Sequence, residues 1–186
     1  MIRPAASTDS RQVSPLFILA MDHIAGIYAN SSRIEDAIPI FDHFFRTTKN
    51  QYSYENTLVF EENGKILGMA TGYNGADLQG LRQPVLDHIH QFNPAFKVGN
   101  ETETGEYYLD CLSVHPDAQG KGIGKKLIQA FCDKGFQGGF ERIGLIVDLE
   151  NPNAKRLYEQ IGFYAVGEKD FMGHRYAHMV REKSTL

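Results

Sequence analysis

Apolar residues recur along this chain with two periods, and the switches between the periods mark its elements. Ile2 to Ala5 is a short candidate first strand. Thr8, Asp9 and Ser10 then offer caps for a helix through Val13, Leu16, Phe17 and Ala20, with apolar residues continuing to Ile27. A second helix follows Ser31 and Ser32 and carries Ile34, Ala37, Ile38, Phe41, Phe44 and Phe45, with Pro39 predicting a kink or a break. Its aromatic stripe reads as a core-facing side. Strand character takes over from Thr57 to Glu61 and from Lys65 to Tyr73, two strands joined at Glu62-Asn63-Gly64, where Asn-Gly suits a tight hairpin.

An insertion, Asn74 to Thr104, comes next. Leu78, Leu81, Val85, Leu86 and Ile89 have helical spacing and predict a helix within Asp77 to Phe92, whose first turn Pro84 limits; the polar run Asn93 to Thr104 reads as loop. Tyr107 to Val114 is aromatic and aliphatic, a strand closed by Pro116. A glycine-rich turn leads into a helix with Ile123, Leu127 and Phe131 on one face, ended by Gly135 and Gly138-Gly139. Ile143 to Leu149 is almost wholly apolar and predicts a strand buried on both faces. Asn151 caps a helix that Pro152 opens, with Ala154, Leu157, Tyr158 and Ile161 on one stripe and Gly162 at its end. Two last strands, about Tyr164 to Phe171 and Arg175 to Arg181, flank Met172-Gly173. With no repeat, linker or low-complexity segment, the expected organisation is one α+β domain over 1–186, with an insertion at about 74–104.

Composition narrows the function. A length of 186 residues with 42% apolar content is ample for one packed core. The net charge of −4 argues against a general nucleic-acid binder, which needs a basic face. No apolar run reaches the 18 or so residues of a membrane span, and Met1 to Pro4 leads into polar residues without the apolar core of a signal peptide. Two cysteines, Cys111 and Cys132, read as reduced, buried thiols of a cytoplasmic protein.

The chemistry concentrates in Glu106 to Cys132. Strand, glycine turn and helix start together make an anion pocket, because glycines let a ligand approach the backbone and the first amides of a helix lack partners. Lys121, Lys125 and Lys126 add positive charge there. The mononucleotide loop G-x-x-x-x-G-K-[ST] is absent, and glycines at 120, 122 and 124 do not fit G-x-G-x-x-G. What fits is Gln-x-x-Gly-x-Gly at Gln119, Gly122 and Gly124, preceded by Leu112-Ser113-Val114-His115-Pro116. This string resembles the acetyl-CoA signature of the GNAT (GCN5-related N-acetyltransferase) superfamily. Asn153-Ala154-Lys155-Arg156-Leu157-Tyr158-Glu159-Gln160-Ile161-Gly162-Phe163 resembles that family's other hallmark.

The resemblance implies a three-layer fold: a mixed central sheet of about six or seven strands, flanked by about four or five helices. It further implies that the strands Tyr107–Val114 and Ile143–Leu149 splay, and that acetyl-CoA is the co-substrate lying in the gap. Backbone groups of Leu112 and Val114, with Ser113 between them, would meet pantetheine, the Leu112 amide polarising the acetyl carbonyl. Gln119, Gly120, Lys121, Gly122, Ile123, Gly124 and Lys125 would hold the pyrophosphate, and Asn153 would touch the cofactor near Tyr158. Tyr158 matches the family's general acid. The resemblance leaves a homodimer open.

For a proton acceptor, strand alternation places Tyr108, Asp110, Leu112 and Val114 on one face, which makes Asp110 the best candidate and Glu106 a weaker one. A structural carboxylate and a core tyrosine are the competing readings of Asp110 and Tyr158. Cys111 has the opposite parity, against a covalent cysteine route. The histidines do not have metal-ligand spacing, so no metal is expected; His174 and His178 share a strand face with Tyr176 and are candidates for the acceptor pocket. From Asn74 to Leu112, six acids (Asp77, Asp87, Glu101, Glu103, Glu106, Asp110) stand against Arg82 and Lys97. That bias reads either as a solvated loop or as a rim for a small cationic amine or a lysine-bearing acceptor. The expected activity is acetyl transfer to a primary amine in a ternary complex; the alternative is an acyl-CoA-binding sensor or scaffold without turnover.

Overall fold

A computed structural model describes residues 1–184. Seven strands form one sheet: β1 (Ile2–Pro4), β2 (Thr57–Glu62), β3 (Lys65–Asn74), β4 (Glu106–Val114), β5 (Arg142–Asp148), β6 (Tyr164–Phe171) and β7 (His174–Glu182), in the order β1-β2-β3-β4-β5-β7-β6. Six helices complete it: α1 (Ser10–Met21), α2 (His23–Ala29), α3 (Ile38–Arg46), α4 (Leu78–Ile89), α5 (Ile123–Gln137) and α6 (Pro152–Gln160). One face of the sheet is covered by α1 to α4 around Phe17, Phe41, Phe45 and Met69, and the other by α5 and α6 around Leu127, Phe131, Ile143 and Met179. None of these helices is long and apolar enough to cross a membrane.

Every strand pairing is antiparallel except β4 with β5, which is parallel and short. It runs only through Glu106↔Arg142, Tyr107↔Ile143 and Tyr108↔Gly144. Beyond Tyr108 the two strands part, so the outer edge of β4 from Leu109 to Val114 is left without a strand partner. A backbone edge of this kind accepts an added extended chain.

The first predicted helix is in fact two, because Asp22 adopts φ +47 and breaks it into α1 and α2. That raises the helix count above the four or five anticipated. Pro39 falls in the first turn of α3, where its missing N–H costs nothing, and a 3₁₀ turn at Ile34–Ala37 precedes it. Asn63 and Gly64 both have positive φ, as their turn chemistry dictates; Met172 and Gly173 close the second hairpin also at positive φ, which suits Gly173 but not the methionine.

One expectation fails. Thr71 pairs with Cys111 but Gly72 pairs with Leu109, so Asp110 is a bulged residue without a partner on β3. A bulge resets alternation. Tyr107 and Leu109 pack toward α5, Cys111 packs into the α1 side, and Leu112 and Val114 return to the α5 side. Asp110 therefore does not share a face with Leu112 and Val114.

Candidate active site

The loop between β4 and α5 is built as a cradle. Gly120 and Gly122 both have φ +75, and a Cβ at either would meet nothing within 4 Å, so the space before the helix is open. Gly122 is the N-cap of α5 and offers no side chain to the first-turn amides. Those amides point into the opening with the positive end of the helix dipole behind them. Lys121 and Lys125 are exposed beside it, Lys121 donating to the Asp117 carbonyl at 3.0 Å. Gln119 Nε2 donates to the Val114 carbonyl at 3.2 Å, which ties the loop to the end of β4. Ile123 buries its side chain in the core, leaving only its backbone to the loop.

Where β4 and β5 part lies a cavity of about 660 Å³, lined among others by Asp110, Leu112, Ile146, Asp148, Ala154 and Tyr158. Among the titratable groups that line it, burial raises both Asp110 and Tyr158, with different consequences. Burial and the nearby charge of Glu101 raise Asp110 to about 7, against weaker pulls from a Gln51 hydrogen bond, Arg82 and Tyr73. Gln51 Nε2 is 3.3 Å from Asp110 Oδ2. Burial holds the Tyr158 phenol well above the ordinary tyrosine value, so it stays protonated. Its ring packs edge-on against Phe163 with centroids 5.8 Å apart, which fixes its direction. Cys111 also lines the cavity, contrary to simple parity, but burial keeps its thiol protonated too.

The profile of the Acetyltransferase (GNAT) family matches residues 23–163. This chain belongs to the GNAT acetyltransferase family. It is 35% identical over 141 residues to the spermine/spermidine N(1)-acetyltransferase of Bacillus subtilis, covering 73% of this chain and 86% of that one. The crystal structure of an acetyltransferase superposes with a TM-score of 0.81 at 28% identity, over 98% of both chains. At 20% identity, a Salmonella typhimurium structure described as holding its cofactor acetyl-CoA shares the fold, with a TM-score of 0.61 over 100% of this chain and 95% of that one. The chain spans only 22% and 56% of the length of two other curated relatives it matches.

Within this GNAT site the anticipated residues are not all equivalent. Asp110, Leu112 and Tyr158 meet at one cavity. The Ser113 hydroxyl donates to the Leu16 carbonyl at 2.8 Å on the opposite face, and Ser113 pairs with Met69 of β3, so its side chain does not face the gap. Asn153 is exposed, pairs with Arg156, and lies outside the cavity, where Asn151 and Ala154 stand instead. Glu106 is 1% exposed and spends one oxygen on His178 Nε2 at 3.1 Å, below the point where β4 and β5 separate; it does not line the cavity. His178 is therefore no pocket residue, whereas His174 and Tyr176 are.

Three of the six acids in the segment are paired. Glu101 is bonded to Arg82, Glu103 to Lys169 and Glu106 to His178. The anionic rim comes mostly from elsewhere: Asp148 accepts from His174 Nδ1 at 2.7 Å, His174 stacks on His23 at 4.4 Å, and Glu150 and Asp22 line the same mouth. Gln51 gives no signal in the sequence, since nothing local separates it from a surface glutamine. Arg82 and Glu101 carried one: charges of opposite sign in a segment whose helix must bury one side.

Proposed function

We propose that this protein transfers an acetyl group from acetyl-CoA to a primary amine directly, within a ternary complex. One observation carries the reading: a carboxylate poised to take a proton and a phenol that keeps its proton face one cavity at the unpaired edge of β4. The cradle fits the co-substrate, because Gly120 and Gly122 leave open space in front of unpaired helix amides. Gly120, Lys121, Gly122, Gly124 and Lys125 would hold the pyrophosphate, with Gln119 bracing the loop. The backbone of Leu112 and Val114, which alternation turns toward the gap, would bond pantetheine.

Bound acetyl-CoA supplies an activated acetyl thioester. Asp110, at about 7, is ionised in part at neutral pH and accepts a proton from the acceptor's ammonium, which otherwise keeps it up to a pKa near 10.4. The Leu112 amide donates toward the acetyl oxygen as negative charge develops there. Tyr158 holds a proton at its phenolic oxygen for the leaving sulfur. A covalent route through Cys111 is disfavoured, because a thiol whose pKa is raised by burial is a poor nucleophile.

Acids at the cavity floor and mouth, Asp110, Glu101, Asp148 and Glu150, support a small cationic amine as the acceptor, the class named for the Bacillus subtilis relative. Two free, buried cysteines fit a cytoplasmic setting. A sensor that binds the co-substrate without turnover needs neither a poised carboxylate nor a protonated phenol. Tyr158→Phe tests the choice: coenzyme A release should drop by about 10²- to 10⁴-fold while acetyl-CoA still raises the melting temperature. Undiminished release would take Tyr158 out of the chemistry, and no release by either protein would favour the sensor.

A further inference from the structure

The inserted segment is fastened down from several directions. Arg82 of α4 donates to the Gly99 carbonyl at 3.0 Å and pairs with the Glu101 carboxylate. Lys169 of β6 donates to the Glu101 carbonyl at 3.2 Å, and Thr102 Oγ1 to the Gly75 carbonyl at 2.8 Å. Together they hold Glu101, only 2% exposed, against the cavity that Asp110 lines.

Gln51 reaches the same floor from the segment after α3. Its Nε2 donates to Tyr52 Oη at 3.0 Å and to Asp110 Oδ2 at 3.3 Å, and Tyr52 Oη lies 2.8 Å from Tyr28 Oη. Gln51 is 3% exposed, yet its Oε1 has no hydrogen-bond partner among the described residues. A buried acceptor left alone is costly, so its place beside a ligand cavity points to a donor that arrives with the ligand. A primary ammonium brings three N–H donors and the charge that Asp110 and Glu101 attract.

We propose that Gln51, Asp110 and Glu101 form the seat of the acceptor's primary ammonium, with Gln51 Oε1 accepting one N–H, Asp110 accepting another and removing that proton, and Glu101 drawing the cation in. The seat rests on the acetyl-transfer reading and specifies its acceptor. In the proton step the N–H bond breaks, its electron pair stays on nitrogen as the attacking lone pair, and the carboxylate becomes a carboxylic acid. Glu101 acts as a positioning residue through the charge it presents. The groups facing Asp110 are Tyr28 (α2), Gln51 and Tyr52 (after α3), Tyr73 (β3), Arg82 (α4), Glu101 (inserted loop), and Tyr108 and Cys111 on β4 itself. Burial keeps the tyrosines and Cys111 neutral, so Glu101 and Arg82 are the charges that act on it.

Carboxyl ¹³C NMR titration of Asp110, its resonance identified by loss in Asp110→Asn, tests the seat without needing turnover. Glu101→Gln should move the Asp110 midpoint down by about one pH unit or more. The double variant Arg82→Gln/Glu101→Gln, which leaves no buried charge unpaired, should move it down by less. Gln51→Met should move it up, and should raise KM for a simple alkylamine about tenfold with KM for acetyl-CoA unchanged. The acid limb of kcat/KM should follow the midpoint in each variant. An unmoved midpoint in both Glu101 variants, or an unchanged amine KM in Gln51→Met, would overturn the seat while leaving acetyl transfer standing. A wild type inert toward every amine would instead overturn the transfer reading, and the seat with it.

Discussion

Replacing Asp110 by asparagine should make this protein more stable and less active, and the gain in stability should depend on pH. The side chain is held on the bulge of β4, where burial and Glu101 raise it from 3.8 to about 7. A shift of about three units corresponds to at most about 4 kcal/mol, which relaxation around the carboxylate reduces to roughly 2–4. The sign is set by linkage. Between about pH 4 and 7 the folded state binds more protons at this residue than the unfolded state, so its contribution falls as pH rises and the penalty is complete above 7. Asparagine pays no such penalty and still accepts from Gln51 Nε2. At pH 8 Asp110→Asn should therefore melt about 5–15 °C above wild type, given about 2–4 °C per kcal/mol for a chain of this size. Near pH 4 the two curves should converge. Thermal and urea unfolding at both pH values measure this directly. A variant no more stable than wild type at pH 8, or a gap that does not narrow toward pH 4, would refute the claim that Asp110 is buried at its own expense. Carboxylates held low by partners, such as Asp9 beside Arg3 and Glu103 beside Lys169, titrate in both proteins and cancel.

Two glycine substitutions separate the cradle from the core. Gly122→Ala places a Cβ in open space but at φ +75, a strain of roughly 1–2 kcal/mol, so the protein should fold, with KM for acetyl-CoA at least tenfold higher by steady-state kinetics and little change in KM for the amine. Gly72→Ala is a different case: its Cβ would lie 2.1 Å from the Tyr108 carbonyl oxygen and 2.4 Å from the Phe131 ring, where β3, β4 and α5 meet next to the bulge. Urea unfolding should show a loss of at least about 3 kcal/mol, or no folded protein.

Much of the scaffold was legible because the local chemistry agreed with the fold. Asn151 caps α6 through its Oδ1 and Pro152 opens that helix, and Asn63-Gly64 turns its hairpin where its residue types demand. The glycine cradle was legible for the same reason, since positive φ at 120 and 122 admits glycine at little cost. What escaped was set by distant partners. The bulge at Asp110 follows from how β4 pairs with β3, and period-two counting carried straight through it. The break at Asp22 depends on one non-glycine residue at positive φ inside an unbroken apolar pattern. Gln51 and Glu101 reach Asp110 across 59 and nine positions of sequence, joined only by folding.

The central claim is acetyl transfer to a cationic primary amine. Its most direct test is release of free coenzyme A from acetyl-CoA by the purified chain, against polyamines, aminoglycosides, amino acids and lysine-bearing peptides, with the acetylated product identified by mass. The account predicts rapid release with a small polycationic amine, an N-acetyl product, and a rate that rises through about pH 7 as Asp110 ionises. No release above background with any amine, while acetyl-CoA still raises the melting temperature, would contradict it and leave a binding protein in its place.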